Sequence, residues 1–279
     1  MTDKKIPARI FARASQDAAT AKKGIHTLQT ESPSYKLAFQ DDEFLLREDL
    51  RPVRFQLELL KPELLLDEAK IASTFVFYGS ARIPEPGVKS DNPNPAIAAR
   101  LEANSKYYEE SRKLARIASK IPRDPDGERQ FVVCSGGGPS IMEAANRGAE
   151  DVGAESIGLN IVLPHEQAPN THVTPRLSFQ FHYFALRKMH FLLRARAVAV
   201  FPGGFGTFDE TFELLTLIQT GKIKPMPVIM FGKEFWNRVV NFEALVEEGV
   251  ISEKDLSLFE FVETAEEAWE CVRRFYDRA

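Results

Sequence analysis

The chain has 279 residues, 44% hydrophobic and 27% charged, enough apolar material for one large α/β domain plus an extension. A formal net charge of −4 argues against a broad nucleic-acid surface, which needs excess Lys and Arg, and leaves room only for a local basic cleft. No run is long and apolar enough to span a bilayer and none resembles a signal peptide, so no membrane partner is expected and the expected compartment is the reducing cytoplasm.

Residues 1–40 are polar and mixed, with Lys4, Lys5, Arg9, Arg13, Lys22 and Lys23 set against few acids. They read as a flexible basic arm or a poorly packed helix. From Asp42 to Ile71 apolar residues recur near turn spacing (Phe44, Leu45, Leu57, Leu60, Leu64, Leu65). That predicts a helical extension over 41–72, divided into pieces by Pro52 and Pro62. "TFVFYGSARIP", Thr74 to Pro84, gives a strand that ends in a turn at Gly79, and the proline-rich stretch Pro84 to Pro95 a loop. A helix follows over about Ala96 to Lys120, then a turn at "PRDPDGE".

"FVVCSGGGPSIMEAANRGAE" reads as strand, glycine loop and helix. Its Cys134 reads as a small core residue; Cys271 is far away, and the two lack metal-ligand spacing, so no metal site is expected. "SIGLNIVL" and "LSFQFHYF" read as strands, Tyr183 to Arg196 as a helix, and Ala197 to Phe201 as a short apolar strand. A helix from near Thr207 to Thr220, a strand "PVIMF", a helix Phe235 to Glu247, a strand near Phe259 to Val262 and a helix Thr264 to Tyr276 complete the order. There is no internal repeat.

Short, wholly apolar strands alternating with helices predict an α/β, Rossmann-like doubly wound fold over 73–279, its sheet mostly parallel. In such sheets ligands bind beyond the carboxyl ends of the strands, where the strand order reverses. Three glycine-bearing turns fall at strand ends: Gly79-Ser80, Gly136 to Gly138, and Gly203 to Gly206. Right-handed crossovers bring all three to one edge of the sheet, where they can line one crevice.

The richest of these turns is "FPGGFGTFDE", Phe201 to Glu210. Gly203, Gly204 and Gly206 let the backbone approach a ligand, and the helix N-terminus that follows offers unpaired N–H groups suited to phosphate. Glu210 stands one turn into that helix. Thr207 with Glu210 also fits a capping box, which would explain both without chemistry. Glu213, one turn on, shares the face of Glu210 and can look into the same crevice, or it is a solvated helix residue. "SGGGPSIME" matches a dinucleotide fingerprint only loosely, with Ile141 where the third glycine belongs, and it lacks the lysine of a P-loop. NAD and nucleoside triphosphates are therefore set aside in favour of a mononucleotide. Ser140 and Glu143 again fit either a capping box or a ligand role. In "YFALRKMHFLLRAR", Arg187 and Arg194 are seven apart and share a helix face, either solvated or forming an arginine fork on phosphate; Arg82 is a similar candidate. His182 and His190, beside aromatics, read as structural.

Arg187-Lys188, followed by the Glu210 of "PGGFGTFDE", resembles the LOG (LONELY GUY) family of cytokinin riboside 5′-monophosphate phosphoribohydrolases, long labelled lysine decarboxylases. Every fixed position of the family pattern P-G-G-x-G-T-x-x-E is met. "GGGPSIMEAANRGA" looks like the family's other glycine segment, with Ser140 where glycine is common; serine is small, so the fold is expected to tolerate it. The resemblance covers roughly Thr74 to Phe261. It implies that Glu210 and Arg187 are the catalytic pair and that Gly203, Gly204, Gly206 and Thr207 hold phosphate. It also implies that Gly137, Gly138, Met142 and Glu143 help hold the nucleotide and that Glu213 is an acid near the base and ribose; Gly79, Ser80, Arg82 and Lys188 are expected to join them. No cofactor is implied; the old label suggests pyridoxal phosphate, but there is no Schiff-base lysine motif. The expected reaction is hydrolysis of a nucleoside 5′-monophosphate to base and ribose 5-phosphate by a homodimer or larger homo-oligomer. The helix N-terminus is expected to favour the Glu210 anion, and Arg187, always charged, to orient the substrate. A non-catalytic nucleotide or cofactor carrier would use the same glycines without needing the pair.

Overall fold

The computed structural model describes residues 11–164 and 168–277. The chain divides into two compact units, Met1–Leu57 and Glu58–Ala279. Of the expected arm, residues 1–10 lie outside the described residues. The rest of the first unit holds helix α1 (Ala14–Ala21), three single 3₁₀ turns, the four-residue helix α2 (Asp42–Leu45) and the first turns of the next helix. Asp41 opens α2 by accepting the Phe44 N–H.

The division falls inside α3 (Arg51–Glu68), which runs unbroken where two prolines led us to expect pieces. Pro52 sits in the first turn, where no N–H partner is required. Pro62 is inside the helix and buried, so the carbonyl four residues back, that of Glu58, loses its intrahelical donor. Leu66, near the end of α3, and Ile71 beyond it belong to the core of the second unit.

That unit is built on seven strands in the order β4-β3-β2-β1-β5-β6-β7, with every pairing parallel. The strands are β1 (Thr74–Tyr78), β2 (Val132–Ser135), β3 (Ile157–Ile161), β4 (Ser178–Phe181), β5 (Ala195–Val200), β6 (Val228–Phe231) and β7 (Glu260–Val262). Order reverses between β1 and β5, so the fold is the expected Rossmann-like α/β type. The expected helix over 96–120 is two, α4 (Pro95–Ala103) and α5 (Lys106–Ala118). Asn94 caps α4 by accepting the Ala96 and Ile97 amides. α6 (Ile141–Glu150), α7 (Phe184–Leu193) and α8 (Phe205–Gln219) follow β2, β4 and β5. The expected helix 235–247 is also two, α9 (Lys233–Val239) and α10 (Phe242–Glu247), the latter begun by Asn241 accepting the Ala244 N–H. α11 (Ala265–Tyr276) closes the unit.

Strand alternation sends side chains into two cores. Val76 and Tyr78 of β1 join Phe191, Leu214, Ile218 and Trp236 from α7, α8 and α9 on one face. Phe75 and Phe77 join Tyr108, Leu114, Ile141 and Val272 from α5, α6 and α11 on the other. Each fully buried Phe of this kind contributes about 2 to 3 kcal/mol. Among the described residues no helix is long and apolar enough to cross a membrane.

Candidate active site

The central strands β2, β1 and β5 are neighbours, so the three glycine turns at their carboxyl ends meet. Backbone hydrogen bonds stitch them together. Ser80 N–H donates to Pro202 O at 3.1 Å, Ile141 N–H to Ser80 O at 3.3 Å, and Phe201 N–H to Tyr78 O at 2.8 Å. A Cβ on Gly79 would come within 2.5 Å of Ile141, so the close packing of this turn on α6 requires glycine.

α8 begins at Phe205, with Gly204 as its N-cap and no side-chain cap. Its first ladder bond runs from Phe208 N–H to Gly204 O at 3.0 Å, so the amides of Phe205, Gly206 and Thr207 precede the ladder. Thr207 is therefore the third helical residue and not a cap, and the capping reading of Thr207 with Glu210 fails. The alternative for Ser140 fails too. Ser140 is the N-cap of α6 but makes no cap hydrogen bond; its hydroxyl donates to Ile83 O, and its φ is +64°. That conformation explains why glycine suits this position: backbone geometry, not side-chain size, is what serine must satisfy. Glu143 points to Tyr108 (3.5 Å) and His172 (3.9 Å).

Arg187, on α7, donates Nε–H to Leu159 O at 2.6 Å and lays its guanidinium 5.1 Å from the centre of the Phe191 ring. So held, its Nη1 lies 3.5 Å from Oε1 of Glu210, with both side chains at least 86% buried (11% and 14% exposed). Burial pushes the Glu210 carboxyl up to about 7; Arg187 pulls it down, Asp209 pushes up, Lys188 pulls down and Glu213 pushes up. This corrects the expectation of a stabilised anion. Glu210 is the sixth residue of α8, and the helix-dipole effect fades within the first turn, so desolvation wins. Two further buried groups feel the pair. Tyr78 is raised well above the usual phenol value, mainly by burial and then by Glu210. The Cys134 thiol is likewise pushed up by burial, which leaves it an inert core residue.

Arg187 and Glu210 line a cavity of about 760 Å³ at the switch point. Of the residues singled out in the sequence, Gly79, Ser80, Arg82, Gly138, Met142, Gly204, Gly206 and Thr207 also line it. Gly137, Gly203, Glu143, Lys188 and Glu213 are not in its wall. Gly137, at φ +71°, donates its N–H to Ser135 Oγ (3.1 Å) and accepts Asn170 N–H (2.8 Å), so its backbone is spent within the loop. Gly203 makes room for the Thr207 side chain. Lys188 bridges Asp209 (2.9 Å) and Glu213 (3.0 Å), neutralising the acid expected near the ribose. The arginine fork does not form. α7 ends at Leu193, and Arg194 turns to Asp67 (2.7 Å) and Glu63 (3.3 Å) at the amino edge of the sheet.

Sequence reasoning placed Gly136 in a crevice-lining turn without giving it a role, and missed the apolar wall of Ile161, Leu163, Phe184 and Val239. It missed Asn170, whose side chain holds Gly138 O (3.0 Å) and Asn146 (3.0 Å). No local signal marks a lone Asn or an apolar residue as pocket-lining.

Residues 142–272 match a family model described as "Possible lysine decarboxylase". Among curated proteins, the cytokinin riboside 5′-monophosphate phosphoribohydrolases LOG3 and LOG4 of Arabidopsis thaliana are each 29% identical over 140 residues, which is 49% of this chain. The match spans 63% of the length of each of these relatives. A solved structure, the molybdenum cofactor binding protein of Rippkaea orientalis, aligns over 73% of this chain and 98% of its own at 16% identity and a TM-score of 0.44, a likeness too slight to bear on function. Over residues 142–272, under half of its length, the chain is thus similar to the family described as possible lysine decarboxylases.

Proposed function

We propose that the protein hydrolyses the N-glycosidic bond of a nucleoside 5′-monophosphate, releasing free base and ribose 5-phosphate. The observation that carries this reading is the buried Arg187–Glu210 pair, set in the wall of a cavity that also holds the start of α8. Phosphate sits against the amides of Phe205, Gly206 and Thr207 and fixes the ribose. As the base departs, positive charge builds on the anomeric carbon. Ionised Glu210 faces that charge and takes a proton from the attacking water, whose oxygen bonds to the anomeric carbon. Its carboxyl, poised near neutral pH, suits a group that gains and gives up a proton in each cycle. Arg187, fixed by Leu159 O and the Phe191 ring, keeps Glu210 and the sugar aligned. The activity for which the relatives are named supports this substrate class, and the apolar wall favours an adenine bearing an apolar substituent over plain adenine. Self-association goes with this reading: Phe184, Met189 and Leu193 on α7 are exposed apolar side chains, and sedimentation should show a dimer or larger species.

The test is a panel of AMP, isopentenyladenosine monophosphate and pyrimidine monophosphates, assayed for ribose 5-phosphate. Release from at least one supports the proposal. Tight nucleotide binding with no release from any would replace it with a carrier, which has no need of the Arg187–Glu210 pair.

A further inference from the structure

Helix α7 carries Arg187, and its attachment to α3 is unusual. A helix normally meets its neighbours through apolar side chains, yet here polar groups of one residue, Glu58, fasten it at two points. The Glu58 carboxylate accepts His182 N–H at 2.8 Å and Tyr183 N–H at 3.2 Å, at the N-terminus of α7. It thus acts as a cap supplied from a different helix, and its charge complements the positive end of the α7 dipole. The Glu58 carbonyl, two turns along α7, lies 3.2 Å from His190 Nε2. That carbonyl is available because Pro62, four residues on, has no N–H to give it.

The tautomer follows. Nε2 of His190 carries the proton and donates to the carbonyl, while Nδ1 is unprotonated; among the described residues it has no hydrogen-bond partner. Burial lowers the His190 pKa, which keeps the ring neutral. Beyond the C-terminus of α7, Arg194 binds Asp67 at 2.7 Å and Glu63 at 3.3 Å, both from α3. α7 is therefore clamped at its start, its second turn and its end by polar groups of α3. Arg187 stands between these points, and its guanidinium must come 3.5 Å from Glu210 and 2.6 Å from Leu159 O.

We infer that Glu58 is a positioning residue for the Arg187–Glu210 pair, acting through the register and tilt of α7. The inference rests on the phosphoribohydrolase reading for its kinetic consequence but not for its structural one. Glu58 is not part of the cavity wall, and Pro62 serves the same end by freeing the Glu58 carbonyl.

The decisive measurement is the titration of the Glu210 carboxyl, followed by carbon-detected NMR in the wild type, Glu58→Ala and Glu58→Gln. The groups acting on Glu210 are Arg187, Asp209, Lys188 and Glu213, with Tyr78 and Cys134 buried close by. Two effects of removing Glu58 have opposite signs. Deleting a negative charge, by itself, makes the Glu210 anion easier to form and moves its titration down. Letting Arg187 drift removes the cation that holds the anion and moves it up. Positioning predicts the upward shift in Glu58→Ala, a smaller one in Glu58→Gln, which keeps one acceptor oxygen, and a fall in kcat of about ten- to a hundredfold with KM little changed. If the alanine variant does not fold, the glutamine variant decides by the same shift. A variant that melts earlier but leaves the Glu210 titration unmoved or lowered makes Glu58 a mere structural clamp and overturns the inference. If the wild type turns over no nucleotide, the phosphoribohydrolase reading falls while the titration still decides the role of Glu58.

Discussion

A Cβ placed on Gly136 would lie 2.5 Å from Nη2 of Arg187. The glycine of one turn thus leaves the space in which the arginine of another helix reaches Glu210. It also makes room for Met142 Sδ, 2.8 Å from the same point. Gly136 has no left-handed φ, so clearance for these neighbours is what glycine supplies there.

Gly136→Ala should therefore separate folding from activity. The atoms displaced are the ends of two flexible side chains, and the backbone accepts a Cβ, so the cost in stability is about 1 kcal/mol or less. Arg187 must give way by several tenths of an ångström, and a misplacement of that order is expected to lower kcat by about ten- to a hundredfold. Urea unfolding and nucleotide hydrolysis on the same preparation check both halves. Full activity in the alanine variant would show that Arg187 need not sit where it does.

The sheet and its glycine edge were legible because their signals are local: short apolar strands, three of which (β1, β2 and β5) run into glycine turns. Arg187 and Glu210, 23 residues apart, were legible only by resemblance, since nothing in their spacing implies a 3.5 Å contact. The Thr207–Glu210 box misled because the start of α8 was placed by pattern, whereas Ser140 does stand at the N-cap of α6 but in a conformation that turns its hydroxyl to Ile83 O. Moving the start of α8 from Thr207 to Phe205 turns a cap into an interior residue and frees Glu210 for Arg187. "FLLRAR" continues the helical periodicity of α7, yet the chain leaves the helix at Leu193 to begin β5, so Arg194 and Arg187 part company. The role of Glu58 lies 124 positions from its partner and has no sequence signature.

Activity should depend on pH through Glu210. The mechanism needs the carboxylate, and the carboxyl titrates at about 7. kcat/KM is expected to rise with pH as a single ionisation below neutrality and to level off above it. Glu210→Asp, with a shorter arm, should keep the shape of the profile at a lower plateau. A profile flat from pH 5 to pH 8 would remove Glu210 from the role of proton acceptor.

The same shift makes a statement about stability. Unfolded, Glu210 has its ordinary value of 4.5; folded, about 7. Between these values the folded state binds the extra proton, so stability falls as pH rises through the interval. Above pH 7 the full cost is present, about 3 kcal/mol at about 1.4 kcal/mol per pH unit. Below the unfolded value it vanishes. Glu210→Gln removes the charge and should stabilise the protein above pH 7 by up to that amount while abolishing turnover. Melting curves of the two proteins should converge as pH falls below 4.5. A glutamine variant no more stable than wild type above neutrality would mean that the carboxylate is better solvated than its burial indicates.

Ser140 offers a test in which conformation and hydrogen bonding are separable. Its φ of +64° strains any side chain by about 1 to 3 kcal/mol. Its hydroxyl offsets part of this by donating to Ile83 O, in a buried setting. Ser140→Gly relieves the strain but loses the bond and gains freedom in the unfolded chain, so the net change should stay within about 1 kcal/mol. Ser140→Ala keeps the strain, loses the bond and leaves a buried carbonyl unpaired, a loss of about 1 to 3 kcal/mol. The ordering glycine above alanine is the prediction, read from urea midpoints at constant slope. Equal midpoints for the two variants would mean that the turn into α6 relaxes to a negative φ once the hydroxyl is gone, and the preference for glycine at this position would then need a cause other than backbone strain.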